Sequence, residues 1–361
     1  MAKQEYRLYK PQINLARPTA VRMWLVSLCA ILVVFQSSLT DFFASLILAS
    51  TAVVTAVLTE ALIYFRTPRS GTIKDGSAVT SALILAMLLP NQLHPIYAAM
   101  GAAFAMTVVK HSFGGVGANW MNPAIGGWLF IRFSWPEAFK QALEQSPLTL
   151  IAEGVHQGIT DAEGAPLGIL KLMGIDYGTA SNALLDKLLE LALNDGLFSL
   201  IRLEFPRMYL ELFNASAPGI IADRGILALL VGTIIITGVQ TNRSWVPAAY
   251  LGGYALLVRL FGAIPFGGLL GRGDLFFALF SGGVLVTAFI LAADPATGPK
   301  SNIGTLGVSI IAGGLTFLFR YQGLEIYGAF FVIPLVNTVV PLIRDFESRT
   351  FYGNEKWRKP A

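Results

Sequence analysis

The sequence predicts an all-α polytopic membrane protein of about ten transmembrane helices, two inverted five-helix repeats with one long external loop between them. Three observations predict it. Hydrophobic residues make up 54% of the chain and charged residues 13%, against roughly 25% charged in an average soluble domain. The basic residues gather at the ends of apolar runs, on alternate loops, which is the positive-inside pattern. A short apolar helix that stops at a proline occurs once in each half of the chain.

Residues 1–22 carry Lys3, Arg7, Lys10, Arg17 and Arg22 with Pro11 and Pro18, a basic and irregular cytoplasmic tail. The apolar run that follows has no small-residue cleavage site and is succeeded by further spans, so it reads as a span rather than a signal peptide. Runs at about 23–39 and 42–65 cross and return to the basic loop Arg66 through Lys74.

The next helix organises the first repeat, residues 23–135. A polar entrance, Lys74-Asp75-Gly76, leads into the apolar stretch Ser77–Leu89 and stops at Pro90. Thirteen residues rise roughly 20 Å against a hydrocarbon core of about 30 Å. The helix must therefore tilt, end inside the membrane, or be completed by neighbouring backbone. A run from about 95 to 109 returns the chain to Lys110-His111. The Gly-rich turn Gly114 to Ala124, with Asn119, Asn122 and Pro123, then opens a fifth helix that runs to about Trp135. Glycines let backbone approach a ligand or another helix and the asparagines offer amide donors and acceptors; a tight hairpin with an Asn cap explains the same residues.

Residues 136–222 form the polar excursion, external by the crossing count. The second repeat, 223–343, holds runs at about 225–241, 246–263, 275–293, 303–319 and 325–343, and 344–361 is a second basic cytoplasmic tail. Val286-Thr287-Ala288-Phe289-Ile290-Leu291-Ala292-Ala293-Asp294-Pro295 repeats the Thr, the Ala-x-Ile-Leu-Ala and the proline stop of the earlier short helix with one residue fewer. An odd number of crossings per half inverts the second half, and a pair of broken helices at corresponding places points to a site between the repeats. Thr80, Ser81 and Thr287 also suit plain helix packing.

The composition bounds the chemistry. One cysteine, Cys29, and three scattered histidines, His94, His111 and His156, exclude cysteine-ligated iron–sulfur clusters and zinc frameworks within this chain. No basic, aromatic-interleaved stripe suggests nucleic acid, and neither a P-loop nor a Ser/His/Asp constellation is present. Electron handling would need an organic cofactor. The external cluster from Gly174 to Leu185 sets Thr179 and Ser181 beside Asp176, hydroxyls able to accept a phosphoester. The same residues also read as a turn followed by an N-cap.

Lys74-Asp75-Gly76-Ser77-Ala78 with Pro90, then Gly114-Gly115, Asn119 and Asn122-Pro123-Ala124, then Asp294-Pro295, Thr297 and Pro299 occur in an order that resembles the RnfD/NqrB family, integral membrane subunits of ion-pumping redox complexes. The likeness spans about 60–345, and the length and small tails look more like RnfD. The resemblance implies a urea-channel-like fold of inverted repeats. It also implies an FMN joined through its phosphate to an external Thr or Ser by a flavin transferase, and a non-covalent riboflavin near Asn119 and Asn122. The family's attachment motif reads Asp-x-x-Ser/Thr-Gly-Ala-Thr/Ser. Here Asp176-Tyr177-Gly178-Thr179-Ala180-Ser181 is one residue shorter; Ala180-Ser181 and the Leu-rich helix that follows favour Ser181 as acceptor, with Thr179 as the alternative. Asp223-Arg224-Gly225 stands where relatives tend to show Gly-Glu-Thr-Ser, a bulky cation that could alter the flavin surroundings.

The function this resemblance implies is that of the RnfD-type membrane component of an Rnf-type complex in the bacterial cytoplasmic (inner) membrane, with both termini cytoplasmic. It would pass electrons between flavins while the assembly exchanges electrons between ferredoxin and NAD and moves Na+ or H+. Expected partners are the other Rnf-type subunits, the flavin transferase and membrane lipid, with no nucleic acid. A small-solute channel and a cofactor-free scaffold are the alternative readings.

Overall fold

The computed structural model describes residues 19–41, 43–66, 75–112, 115, 119, 121–143, 219–239, 245–266, 270–271, 273, 275–294, 297–299, 301–321 and 327–351. Among them the regular structure is helical, with one isolated β-bridge between Pro90 and Ile220. Helices α1 (Thr19–Ser38) and α2 (Ala44–Arg66) contain neither Gly nor Pro and form uninterrupted rods. Asp41 shapes the corner between them by accepting from the Ser45 amide at 3.2 Å, and Ser37 bonds Ser45 side chain to side chain at 2.8 Å.

Helix α3 (Ser77–Leu88) is apolar on every face and buried along almost its whole length. Its short length is made good by neighbouring backbone, one of the three outcomes expected for it. Leu89 accepts from the Ile221 amide at 3.1 Å, and the Asn91 amide donates to the Gly219 carbonyl at 2.9 Å. These bonds satisfy backbone groups that a bilayer could not.

Helix α4 (Pro95–Phe104) is capped by the His94 side chain and continues as a π-helix over Ala105–His111. Helix α5 (Pro123–Ser134) starts with Pro123 behind the Asn122 cap. The polar excursion opens with α6 (Pro136–Leu143), whose Phe139 turns inward to meet Trp128 edge-on. After the undescribed part of that loop come α7 (Ile221–Arg224), α8 (Ile226–Val239), α9 (Trp245–Phe261) and a 3-10 turn at Ile264–Phe266.

The run expected over 275–293 is not one helix. It divides into α10 (Leu275–Leu279) and α11 (Val284–Val286), the latter continuing as a π-helix over Thr287–Leu291. The break falls at Gly282 and Gly283, with φ of 66° and 69° in the left-handed region that no helix can continue through. Two long helices complete the chain, α12 (Asn302–Tyr321) and α13 (Gly328–Phe351).

Among the described residues, Ala20–Ser38, Ala44–Phe65, Asn302–Tyr321 and Gly328–Glu347 are long and apolar enough to cross a membrane, and Ser77–Leu88, Ile226–Gly238 and Trp245–Phe261 are shorter apolar helices. Large apolar side chains such as Phe35, Leu62, Ile234, Ile303 and Leu342 stay exposed, as expected of faces turned to lipid. The protein is a multi-pass membrane protein. Inside, α1 packs along α8, α9 along α12, and α3 lies between α1 and α2 and against α5. Close approach depends on missing side chains: a Cβ on Gly232 would stand 2.0 Å from Cys29 Sγ, and one on Gly313 would stand 2.3 Å from the Tyr250 carbonyl oxygen.

Candidate functional site

The two broken helices begin alike. Gly76, with φ 75°, precedes α3, and Gly283, with φ 69°, precedes α11. A threonine four residues on returns its hydroxyl hydrogen to that glycine's carbonyl: Thr80 to Gly76 at 2.9 Å and Thr287 to Gly283 at 2.8 Å. An aromatic ring occupies the space that a side chain on either glycine would need, Trp24 in the first case and Phe330 in the second. A carboxylate receives the amides that the helix start leaves free: Asp75 accepts from Ser77 at 2.8 Å, and Asp223 from Gly282 and Gly283, both at 2.9 Å.

A cation approaches each start from the end of the next long element, buried in the first case and half-buried in the second. Lys110, in the π segment after α4, donates to Ser77 Oγ at 2.7 Å and to Glu60 at 2.5 Å. His111 Nε2 lies 3.7 Å from the same Glu60 oxygen. Arg320, at the end of α12, donates to Tyr254 Oη at 2.6 Å, the Ala278 carbonyl at 2.8 Å and Ser281 Oγ at 2.9 Å. The sequence pattern places Lys110 among the basic loop residues of the cytoplasmic side; in the structure it is buried and paired. A hydropathy pattern cannot distinguish a charge at a helix end that faces water from one that faces a carboxylate.

Asp223 and Arg224 divide their charges between the two halves of the chain. While Asp223 holds Gly282 and Gly283, Arg224 donates to Ser37 Oγ at 3.1 Å and Thr40 Oγ1 at 2.6 Å, and its Nε lies 4.0 Å from Asp41. The guanidinium is thus a buried tie to the end of α1.

Asn122 and Asp294 meet across the chain's two halves. Asn122 accepts from the Ala124 amide at 2.9 Å and donates from Nδ2 to Asp294 at 3.1 Å, joining the start of α5 to the end of the second broken helix. Asn119 takes the amide orientation in which its nitrogen donates to the carbonyls of Val109, Lys110 and Gly115, at 3.2, 3.0 and 3.1 Å. It thereby ties the end of the π segment to Gly115, whose own amide donates to the Lys110 carbonyl at 3.0 Å. As donors, both asparagines serve protein oxygens. Asp176, Thr179 and Ser181 lie outside the described residues.

The Asn122 helix cap was legible from the sequence. The Asn122–Asp294 contact, the Lys110–Glu60 pair and the Asp223 and Arg224 ties were not. The Asp-Pro motif was visible, but nothing in a single sequence places it against a turn 172 residues away.

The chain matches the NQR2, RnfD, RnfE family over residues 8–353. It is 31% identical over 306 residues, 85% of this chain and 83% of the relative, to the D subunit of the proton-translocating ferredoxin:NAD(+) oxidoreductase complex of Clostridium ljungdahlii. It is 29% identical to the Na(+)-translocating counterpart of Acetobacterium woodii, covering 88% of this chain and 85% of the relative. With the D subunit of the ion-translocating oxidoreductase complex of Escherichia fergusonii the identity is 27%, covering 96% and 97%. Together with the order of the Lys-Asp-Gly, Asn-Pro and Asp-Pro turns, these matches show that the chain belongs to the NQR2, RnfD, RnfE family.

Proposed function

We propose that this chain is the D subunit of an Rnf-type ion-translocating ferredoxin:NAD oxidoreductase complex in a bacterial inner membrane, and that it carries flavin between electron-transfer partners. The observation that carries the reading is the continuity of the family match across residues 8–353. The turns joined at Asn122–Asp294 lie within it. The remaining complex subunits, a flavin transferase and surrounding lipid are the partners this role requires.

In this reading Ser181, or Thr179 in its place, accepts FMN through its phosphate on the external side, with Asp176 in the same cluster. A riboflavin rests near the turn that Asn119 and Asn122 hold in shape. The isoalloxazine supplies the redox chemistry when bound. The protein's own work is to fix its position and limit its contact with water.

The test is flavin fluorescence of the denatured polypeptide on a gel after co-expression with an active flavin transferase, followed by mass mapping of the peptide spanning 174–187. A fluorescent band that is lost in Ser181→Ala supports covalent attachment at Ser181, and loss only in Thr179→Ala moves the acceptor. A dark band from the wild-type chain with the transferase shown active would remove the covalent role.

A further inference from the structure

A cavity of about 20 Å³ lies at the C-terminal end of the second broken helix, between that helix, α12 and α13. It has room for one water-sized occupant and none for a ring system. Its polar wall comes from Thr297 of the Asp-Pro-x-Thr turn, Thr305 and Ser309 on successive turns of α12, and Asn337 on α13; Leu291 and Ala292 close it from the helix end.

The hydroxyl hydrogens on α12 are already committed. Thr305 donates to the Ser301 carbonyl at 2.6 Å and Ser309 to the Thr305 carbonyl at 2.7 Å, so both oxygens can offer only lone pairs to anything else. Asn337 is 6% exposed, and its amide nitrogen is buried with no hydrogen-bond partner. Native proteins seldom leave such a group unmatched without an occupant or a function. A half-turn of this amide exchanges its nitrogen for its oxygen and adds a further oxygen to the wall.

Gly298 and Ser301 beside the cavity are tied to α13. Arg344 donates to the Gly298 carbonyl from Nε at 3.1 Å and Nη2 at 2.6 Å, and Ser301 donates to Glu347 at 2.6 Å.

We propose that this cavity is a Na+ site, with Thr297, Thr305, Ser309 and the Asn337 amide oxygen as ligands. The oxygens are hard and neutral, which suits a small alkali cation. Among the described residues no titratable side chain lines the cavity, so they offer a proton no base and a divalent ion no balancing carboxylate. Asp294, two residues beyond Ala292, carries the bond to Asn122, so an ion here sits beside the joint between the chain's halves. The assignment deepens the ion-translocating reading above and rests on it for its role, though not for the binding itself.

The test is the thermal unfolding midpoint of the full-length purified chain in detergent, in NaCl against choline chloride at equal ionic strength, paired with 22Na+ binding. The expected result is a higher midpoint and saturable binding in NaCl, lost in Asn337→Leu and Ser309→Ala and retained in Thr305→Ser. Asn337→Asp, which adds a charge to the ligand set, should tighten Na+ by about tenfold. That gain cannot arise from misfolding. Equal midpoints in the two salts for the wild-type chain, or an unchanged Na+ response in Asn337→Leu, would overturn the site; a cavity that holds only water gives the first result and no tightening in Asn337→Asp. A wild-type chain with no Na+ response and a fluorescent flavin band counts against the site alone. A dark band with Na+ binding intact counts against the flavin reading alone.

Discussion

Lys110→Met tests whether the charges beneath the first broken helix act as a unit. Lys110 and Glu60 are 1% and 2% exposed, their charged atoms are 2.5 Å apart, and Ser77 Oγ is the ammonium's further partner at 2.7 Å. Removing the lysine strands a buried carboxylate whose neighbour His111 Nε2, at 3.7 Å, is an imidazole that carries charge only when protonated. Breaking one side of such a pair costs about 3–5 kcal/mol, whereas replacing both sides with apolar groups of similar volume is often neutral. At about 2 °C per kcal/mol for a chain of this size, the unfolding midpoint of Lys110→Met should fall by about 6–10 °C. Lys110→Met combined with Glu60→Met should recover most of that loss. The assay is thermal unfolding of the purified chain in detergent, for both single variants and the double variant, read as a double-mutant cycle. Additive losses would refute the argument, because they would show that the two side chains do not depend on each other.

Three further outcomes follow from the same geometry. Gly115→Ala meets open space at φ 95° and should lose only the left-handed strain of about 1–2 kcal/mol, while Gly76→Ala and Gly283→Ala add contacts of 2.9 Å with Trp24 and 2.3 Å with Phe330; unfolding midpoints should rank Gly115, Gly76, Gly283 from mildest to worst. Asn122→Ala removes a helix cap and the bond to Asp294 for about 1–2 kcal/mol, and Asn122→Asp should be less stable still because it sets a second carboxylate against Asp294, a difference that the same melting assay resolves. Asp223→Asn should destabilise more than Asp75→Asn, since Asp223 holds two amides and faces the charge of Arg320 whereas Asp75 holds one amide; amide hydrogen exchange at Gly282 and Gly283 should rise with it.

What the sequence made legible was local. The first broken helix could be read because its apolar run is short and ends at Pro90, and the Asn122 cap because Asn-Pro is a strong helix start. The closure of that helix by Gly219 and Ile221 was invisible because both contribute backbone groups, which leave no residue signature. The division of the 275–293 run depended on two adjacent glycines within a strongly apolar stretch, where hydropathy outweighs a two-residue break. Arg224 looked like an intruding cation because Ser37, Thr40 and Asp41, which surround it, belong to the end of α1 and the corner after it.

The parallel between the two broken helices explains why only part of it shows in sequence. A cation beside a helix N-terminus opposes the helix dipole, so each start needs a carboxylate as well. In the first half the acid is Asp75, adjacent to the helix it serves; in the second it is Asp223, delivered from before α8 across 59 residues. The cations differ too, Lys110 in one half and Arg320 in the other, and each reaches a serine, Ser77 or Ser281. What must coincide in sequence is therefore small: a glycine able to adopt φ > 0 and a threonine four residues later whose hydroxyl returns to it. The rest is set by charge balance, which different residues at different chain positions can satisfy. Because Asp223 is held by the start of α11 while its neighbour Arg224 is held by the end of α1, a shift of the second broken helix would load the first half of the chain directly.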